Sequence, residues 1–332
     1  DPSDIQLVQR ELGVNCIALQ LKPRLRASRF KLGKDESWRQ ELEWAYIMLD
    51  ECKRLGITAI IVIYQFPIDP KLGVRQHDEK FWDDPAQLDE VIRLSGVMSK
   101  NFKARGQELG GYQVLSEPVV WREGKPFRPE VWPDTLNRII EAIRTHDPER
   151  WIAVSPGPGG GARGYRTFKP LPHKRIIYNA HMYMPHRFTH QGVKENPLGA
   201  KYPGRIGLRY WDKSSLEDVL EPLRTFQEIY DVPVWIGEFS AARWAPGGEQ
   251  YLEDVSGIFN QNGWGWSYYM YNGSPVWNPH YSAEYASEQN RKLWKKQYVG
   301  LASSRWKTLR KIFQVPPRRP VCDTCPTAVS VQ

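Results

Sequence analysis

Two glutamates stand where apolar runs stop. In "YQVLSEPVV" (112–120) the run closes on Ser116-Glu117-Pro118, and in "VPVWIGEFS" (232–240) it closes on Glu238. A carboxylate at the end of a buried strand is either a surface residue or a helix cap, or it is aimed at a ligand. Two at matching strand ends favour the second reading. Paired carboxylates suit glycoside hydrolysis: one, protonated, gives its proton to the leaving oxygen, while the other, ionised, attacks the sugar carbon. Their surroundings must then push their pKa values apart. "RIIYNAHMY" (175–183) adds His181 and Tyr183 on the strand between them. For His181 the competing reading is a satisfied core histidine. The load of 14 Trp and 16 Tyr is in keeping with sugar chemistry, since flat rings stack on pyranose faces, although they also fill cores.

Short apolar strands alternate with helical patterns along the chain. "VNCIALQL", "ITAIIVIYQF", "GYQVLS", "WIAVSP", "RIIYNAHMY", "VPVWIGEFS" and "GWGWSYYMY" read as strands. Between them, "DIQLVQREL", "ESWRQELEWAYIMLDECKRLG", residues 86–109, "DTLNRIIEAIRTHD" with an Asp cap, "SSLEDVLEPLRTFQEIY", residues 249–262 and "AEYASEQNRKLWKKQY" read as helices. Strict alternation means βα units and a parallel sheet, so the fold class is α/β, either a closed barrel or an open doubly wound sheet. An open nucleotide-binding sheet would carry a Gly-rich turn after its first strand, and there is none. "GPGGGARG" (157–164) follows a mid-chain strand with the wrong spacing for a cofactor loop. In a closed barrel the polar strand ends converge on one face, where the chemistry is placed. The count is seven strands, so we expect either a strand upstream of Asp1 or an irregular segment in its place.

The 332 residues are 41% hydrophobic and 25% charged, enough for one large domain. We expect a catalytic domain over 1–315 and a flexible tail over 316–332. No apolar run reaches the roughly 18 residues of a membrane span, which argues against a membrane partner. The net charge of +8 collects in 22–34, 291–296 and the C-terminus. It raises nucleic acid as a partner, but no recognition motif accompanies it and solvated surface explains it. Cys16 and Cys52 read as buried thiols. Cys322 and Cys325 form a C-x-x-C without the second pair a zinc site wants, leaving a tail disulfide or idle thiols. The opening "DPSDIQLVQREL" is not a signal peptide, so either a leader was removed or the protein is cytoplasmic. We expect a secreted or periplasmic monomer.

Five stretches make a family resemblance specific: "GYQVLSEP", "IEAIRTHDPERWIAVSP", "IIYNAHMYMPHRFTHQG", "VPVWIGEFSAARWAPGG" and "GWGWSYYMY". Over about residues 1–313 the chain resembles glycoside hydrolase family 5, cellulase-type retaining enzymes. The resemblance implies a (β/α)8 TIM barrel, and on that count we expect the first strand to be missing from this chain. It also implies cleavage of β-1,4-linked polysaccharide, glucan or mannan, without metal or organic cofactor. By it Glu117 is the acid/base, Glu238 the nucleophile, His181 a neighbour of the acid/base and Tyr183 a donor to the nucleophile. Trp266 and Tyr269 lie on the strand that carries the family's aromatic floor. Trp264, Trp266 and Tyr268 share one face of it and Tyr269 the other, and the sequence does not say which faces inward.

Three supports expected by the resemblance are changed. Ser116 stands where an Asn would bind the sugar 2-hydroxyl, Ala18 where an Arg would end the second strand, and "VIYQFP" offers no His on the third. These departures keep open a catalytically impaired, carbohydrate-binding barrel.

Overall fold

A computed structural model describes residues 1–66, 68, 75–287 and 290–315, apart from the side chain of residue 291. Its strands are β1 (Cys16–Leu21), β2 (Thr58–Ile63), β3 (Leu109–Gln113), β4 (Val120–Arg122), β5 (Lys125–Phe127), β6 (Trp151–Val154), β7 (Ile176–Met182), β8 (Gly204–Ile206), β9 (Arg209–Trp211), β10 (Val234–Phe239) and β11 (Gly265–Tyr268). Seven of them form one sheet in the order β1-β2-β3-β6-β7-β10-β11, the seven read from the sequence. The pairs β1-β2, β2-β3, β3-β6, β6-β7 and β10-β11 are parallel, with Cys16 opposite Thr58 through Leu21 opposite Ile63 at one end. The hairpins β4-β5 and β8-β9 are separate two-stranded sheets that the apolar pattern does not announce, because each strand is three residues long.

The sheet strands lack the alternation of a half-exposed sheet. β2 is buried from Ala59 to Ile63 and β10 along its whole length, as expected where both faces are covered. Helix Lys34–Leu55 buries Trp38, Leu42, Ala45, Leu49 and Cys52, a stripe at three- and four-residue spacing. It stops at Gly56, whose φ of 67° suits glycine and whose N–H caps the Cys52 carbonyl. Helix Trp132–Arg144 buries Trp132, Leu136, Ile139, Ile140 and Ile143 completely, each contributing about 1.5–3 kcal/mol.

Several boundaries move. Residues 86–109 are not all helix: Pro85–Phe102 is, capped by the Asp84 side chain accepting from the Ala86 N–H, and Leu109 already opens β3. Asp134 is not a cap but lies in the first turn, because Pro133 extends the helix back to Trp132. Among the described residues of 283–298, only Arg291–Gln297 is helical. The expected tail over 316–332, with Cys322 and Cys325, lies outside the described residues. Cys16 and Cys52 are buried free thiols, each pushed up to about 12 mainly by burial. No described helix is long and apolar enough to cross a membrane.

Backbone proximity divides the chain into two compact units. The first comprises Asp1–Gln9, Asn15–Asn179 and Val232–Val234; the second comprises Arg10–Val14, Ala180–Asp231 and the chain from Trp235 onward.

Candidate active site

In the second unit, β10 delivers Glu238, only 6% exposed. A buried carboxylate without donors would be costly, and β7 supplies one. The Tyr183 hydroxyl donates to Glu238 Oε2 at 3.0 Å, and His181 Nδ1 lies 3.8 Å from the same oxygen. His181 and Tyr183 are two residues apart at the end of one strand, so both side chains leave its same face. Tyr183 is itself held: Thr189 Oγ1 donates to its backbone carbonyl at 2.6 Å, and its ring meets the Tyr269 ring edge-on at 6.3 Å. A charge-assisted donor favours the ionised carboxylate and fixes its direction.

The face of β11 is settled by contacts. Trp266 is 2% exposed; its Nε1 donates to Asn260 Oδ1 at 2.8 Å and its ring packs on Phe239 and Phe313. Trp264 is likewise buried, its indole N–H spent on Gln227. The expectation of Trp266 as a sugar-facing ring is corrected: it is core, with its polar atom satisfied there. Tyr269, on the opposite face, is the ring that turns to Tyr183 and, at 5.8 Å, to Trp277.

Arg243, inside the "GEFSAARW" stretch, was not singled out by sequence reasoning. It is 2% exposed and without an ion pair among the described residues. Its guanidinium donates to the carbonyls of Pro275, Ser282 and Glu284 and to Gln297 Oε1. Burial brings it down to about 10. It binds the chain after β11 to the chain after β10.

In the first unit, the chain continues extended beyond β3. The Val114 N–H donates to the Ala153 carbonyl at 3.2 Å and the Ser116 N–H to the Ile63 carbonyl at 3.1 Å. Glu117 follows, half-buried, while Ser116 is buried. The glycine run braces this turn. The Gly159 N–H donates to the Pro118 carbonyl at 3.2 Å, and a Cβ on Gly157, whose φ is 68°, would stand 2.8 Å from that same oxygen.

A histidine also approaches from a loop that the strand pattern could not place. His77 accepts the Trp121 N–H on its backbone carbonyl at 3.2 Å. Its neighbour Gln76 spans the strand end, accepting from the Phe66 N–H at 3.0 Å and donating to the Tyr64 carbonyl at 3.2 Å. Burial lowers the His77 pKa; the Glu117 carboxylate is the largest opposing charge, with Asp78 helping it and Arg24 acting against it. So β2 carries no histidine, yet an imidazole from the following loop senses the Glu117 charge. The same loop's Asp78 and Arg75 bear on Arg24, a cation just past the end of β1.

This is the layout of the α/β class, parallel strands alternating with helices and polar side chains carried at strand ends. The solved structures it is similar to have that fold. One titled a glycoside hydrolase aligns with a TM-score of 0.70 at 20% identity, over 94% of this chain and 92% of that one. The endoglucanase Cel5A of Thermotoga maritima, solved in complex with cellobiose, gives a TM-score of 0.68 at 18% identity over 94% and 90%. Residues 12–275 match the model of the cellulase family, glycosyl hydrolase family 5, and the chain belongs to it. Among curated relatives, Endoglucanase C of Acetivibrio thermocellus and Endoglucanase C307 of Clostridium sp. strain F1 are each 22% identical over 219 residues, 58% of this chain. The chain spans 60% of the length of these relatives.

Proposed function

We propose that the protein is a retaining β-glycanase acting on β-1,4-linked polysaccharide, glucan or mannan. The observation that carries this reading is the phenolic donor at 3.0 Å on a carboxylate 6% exposed, the arrangement an oriented, ionised nucleophile needs. In the first step a Glu238 oxygen attacks the anomeric carbon, the glycosidic C–O bond breaks, and Glu117 gives its proton to the departing oxygen. In the second, Glu117 takes a proton from water, whose oxygen displaces Glu238 from the sugar. Such a pair works with its carboxyl groups roughly 5–5.5 Å apart. His181 and Ser116 would contact the sugar and Tyr269 would line its site. Neither step calls for a metal or an organic cofactor. Structures of Thermotoga maritima Cel5A with cellobiose and with mannotriose support keeping both glucan and mannan as candidates. On this reading 1–315 acts as one catalytic domain, monomeric, outside the cytoplasm where such polymers are met.

The test is mass spectrometry after incubation with an activated 2-fluoro-cellobioside and its mannobioside counterpart. The expected result is a stable adduct on a peptide containing Glu238. Absence of an adduct with both sugars, in protein that is folded, would remove the reading. The impaired-barrel alternative predicts glycan binding without release of reducing ends.

A further inference from the structure

The strongest observation is a continuous run of rings in the second unit that starts at Tyr183. The Tyr183 ring meets His190 edge-on at 5.1 Å, and His190 meets Trp277 the same way at 5.1 Å. Trp277 meets Tyr269 at 5.8 Å, and Tyr269 returns to Tyr183 at 6.3 Å. On the outer side His186 lies flat on His190, centroids 3.9 Å apart and planes 12° from parallel.

Unlike Trp264 and Trp266, these rings are not packed away: His186 is exposed and the other four are half-buried. They are also held in place. Trp277 Nε1 donates to the Thr189 carbonyl at 3.3 Å, Thr189 Oγ1 bonds His190 Nδ1 at 2.9 Å, and the Tyr268 hydroxyl bonds the Trp277 carbonyl. Burial, with His186 and Lys194 adding to it, holds His190 down at about 3, so at neutral pH it is an uncharged backing ring. Partly exposed, fixed, flat rings next to a charged group suit a ligand with apolar faces and polar edges, which describes a pyranose.

We propose that Trp277 and the His186–His190 stack form a sugar platform for the pyranose adjoining the one at Glu238 in a β-1,4-glucan. This rests on the glycanase reading and adds to it which residues of the segments after β7 and β11 set affinity for a chain longer than one sugar. Trp277 supplies the broad face, and His186 an outer face that can also bond hydroxyls at its edge.

The experiment is calorimetric titration of cellotetraose into Glu238→Gln protein, which removes turnover. Trp277→Ala and His186→Ala should each weaken binding by about three- to tenfold, the worth of one aromatic contact. Trp277→Phe should recover most of the loss, and Tyr285→Ala, an exposed ring that packs on Trp244, should change nothing. His186 is exposed, so its variant is informative even if Trp277→Ala fails to fold. Folded Trp277→Ala and His186→Ala proteins that both bind cellotetraose as tightly as their parent overturn the platform. If the wild type meanwhile releases reducing ends, the glycanase reading stands. Binding that depends on Trp277 in a wild type that releases no reducing ends keeps the platform and overturns that reading.

Discussion

Glu238 and Glu117 sit at the ends of strands of one sheet, yet their settings differ. Glu238 is the fifth residue of a strand buried throughout, with a phenol and an imidazole on one oxygen. Glu117 stands four positions past Gln113, half-buried, on a turn propped by a glycine run and sensed by a loop histidine. A nucleophile must stay ionised and point one way, which burial among fixed donors provides. An acid/base must pick up and release a proton each turnover, which access to solvent provides. The difference in burial thus matches the difference in proposed task.

The largest effect should come from the buried member. Glu238→Gln should cut kcat on cellulosic oligosaccharide by on the order of 10^4-fold or more, read by reducing-end release. No leaving group can repair it, because the step lost is bond formation to carbon. Glu117→Gln should cost roughly 10^2- to 10^4-fold on the same substrate. On a dinitrophenyl cellobioside, whose leaving oxygen needs no proton, its first step should return close to wild type, visible as a burst of dinitrophenol. If the two variants respond alike to the activated substrate, the assignment of roles is broken.

Tyr183→Phe sharpens the comparison on the Glu238 side. It deletes one hydrogen bond to a charged group, about 1.5–3 kcal/mol, so kcat/KM should fall roughly ten- to a hundredfold. Without the phenolic donor the carboxylate protonates more readily. The acid limb of the pH–rate profile should therefore move to higher pH. An unshifted limb would mean that the hydroxyl orients Glu238 without stabilising its charge.

How much of this could be read from residues depends on range. Apolar runs of β2, β7 and β10 and the stripe of Lys34–Leu55 are local signals, so the sheet and the strand-end glutamates were legible. Tyr183 and His181 share a strand face by spacing alone, and only their meeting with Glu238 is a fact of folding. Trp266 against Tyr269 could not be decided, because alternation tells faces apart without saying which one meets helices; contacts with Asn260 and Phe313 decide it. Arg243 looked like one more basic residue, since its four acceptors lie at distant positions and three are backbone carbonyls. His77 was invisible for a related reason. Its loop has no periodicity, so nothing local ties it to Glu117.

That histidine gives the smallest effect and the most direct look at the Glu117 side. Its pKa is the balance of burial and Arg24, which lower it, against Glu117, Asp78 and the Val119 backbone, which raise it. Removing the Glu117 charge takes away the largest raising charge, so in Glu117→Gln the His77 resonance should titrate at lower pH than in wild type. The sign also fixes the stability effect. His77 in the folded chain already titrates below its ordinary value near 6.5, so the unfolded chain binds more protons as pH falls through that value. Stability contributed by neutral His77 is thus full above about pH 6.5 and declines below it. His77→Gln, which has no proton to gain, should flatten the acid side of a plot of Tm against pH, and Glu117→Gln should steepen it. A His77 titration that ignores Glu117→Gln would separate the loop from the carboxylate.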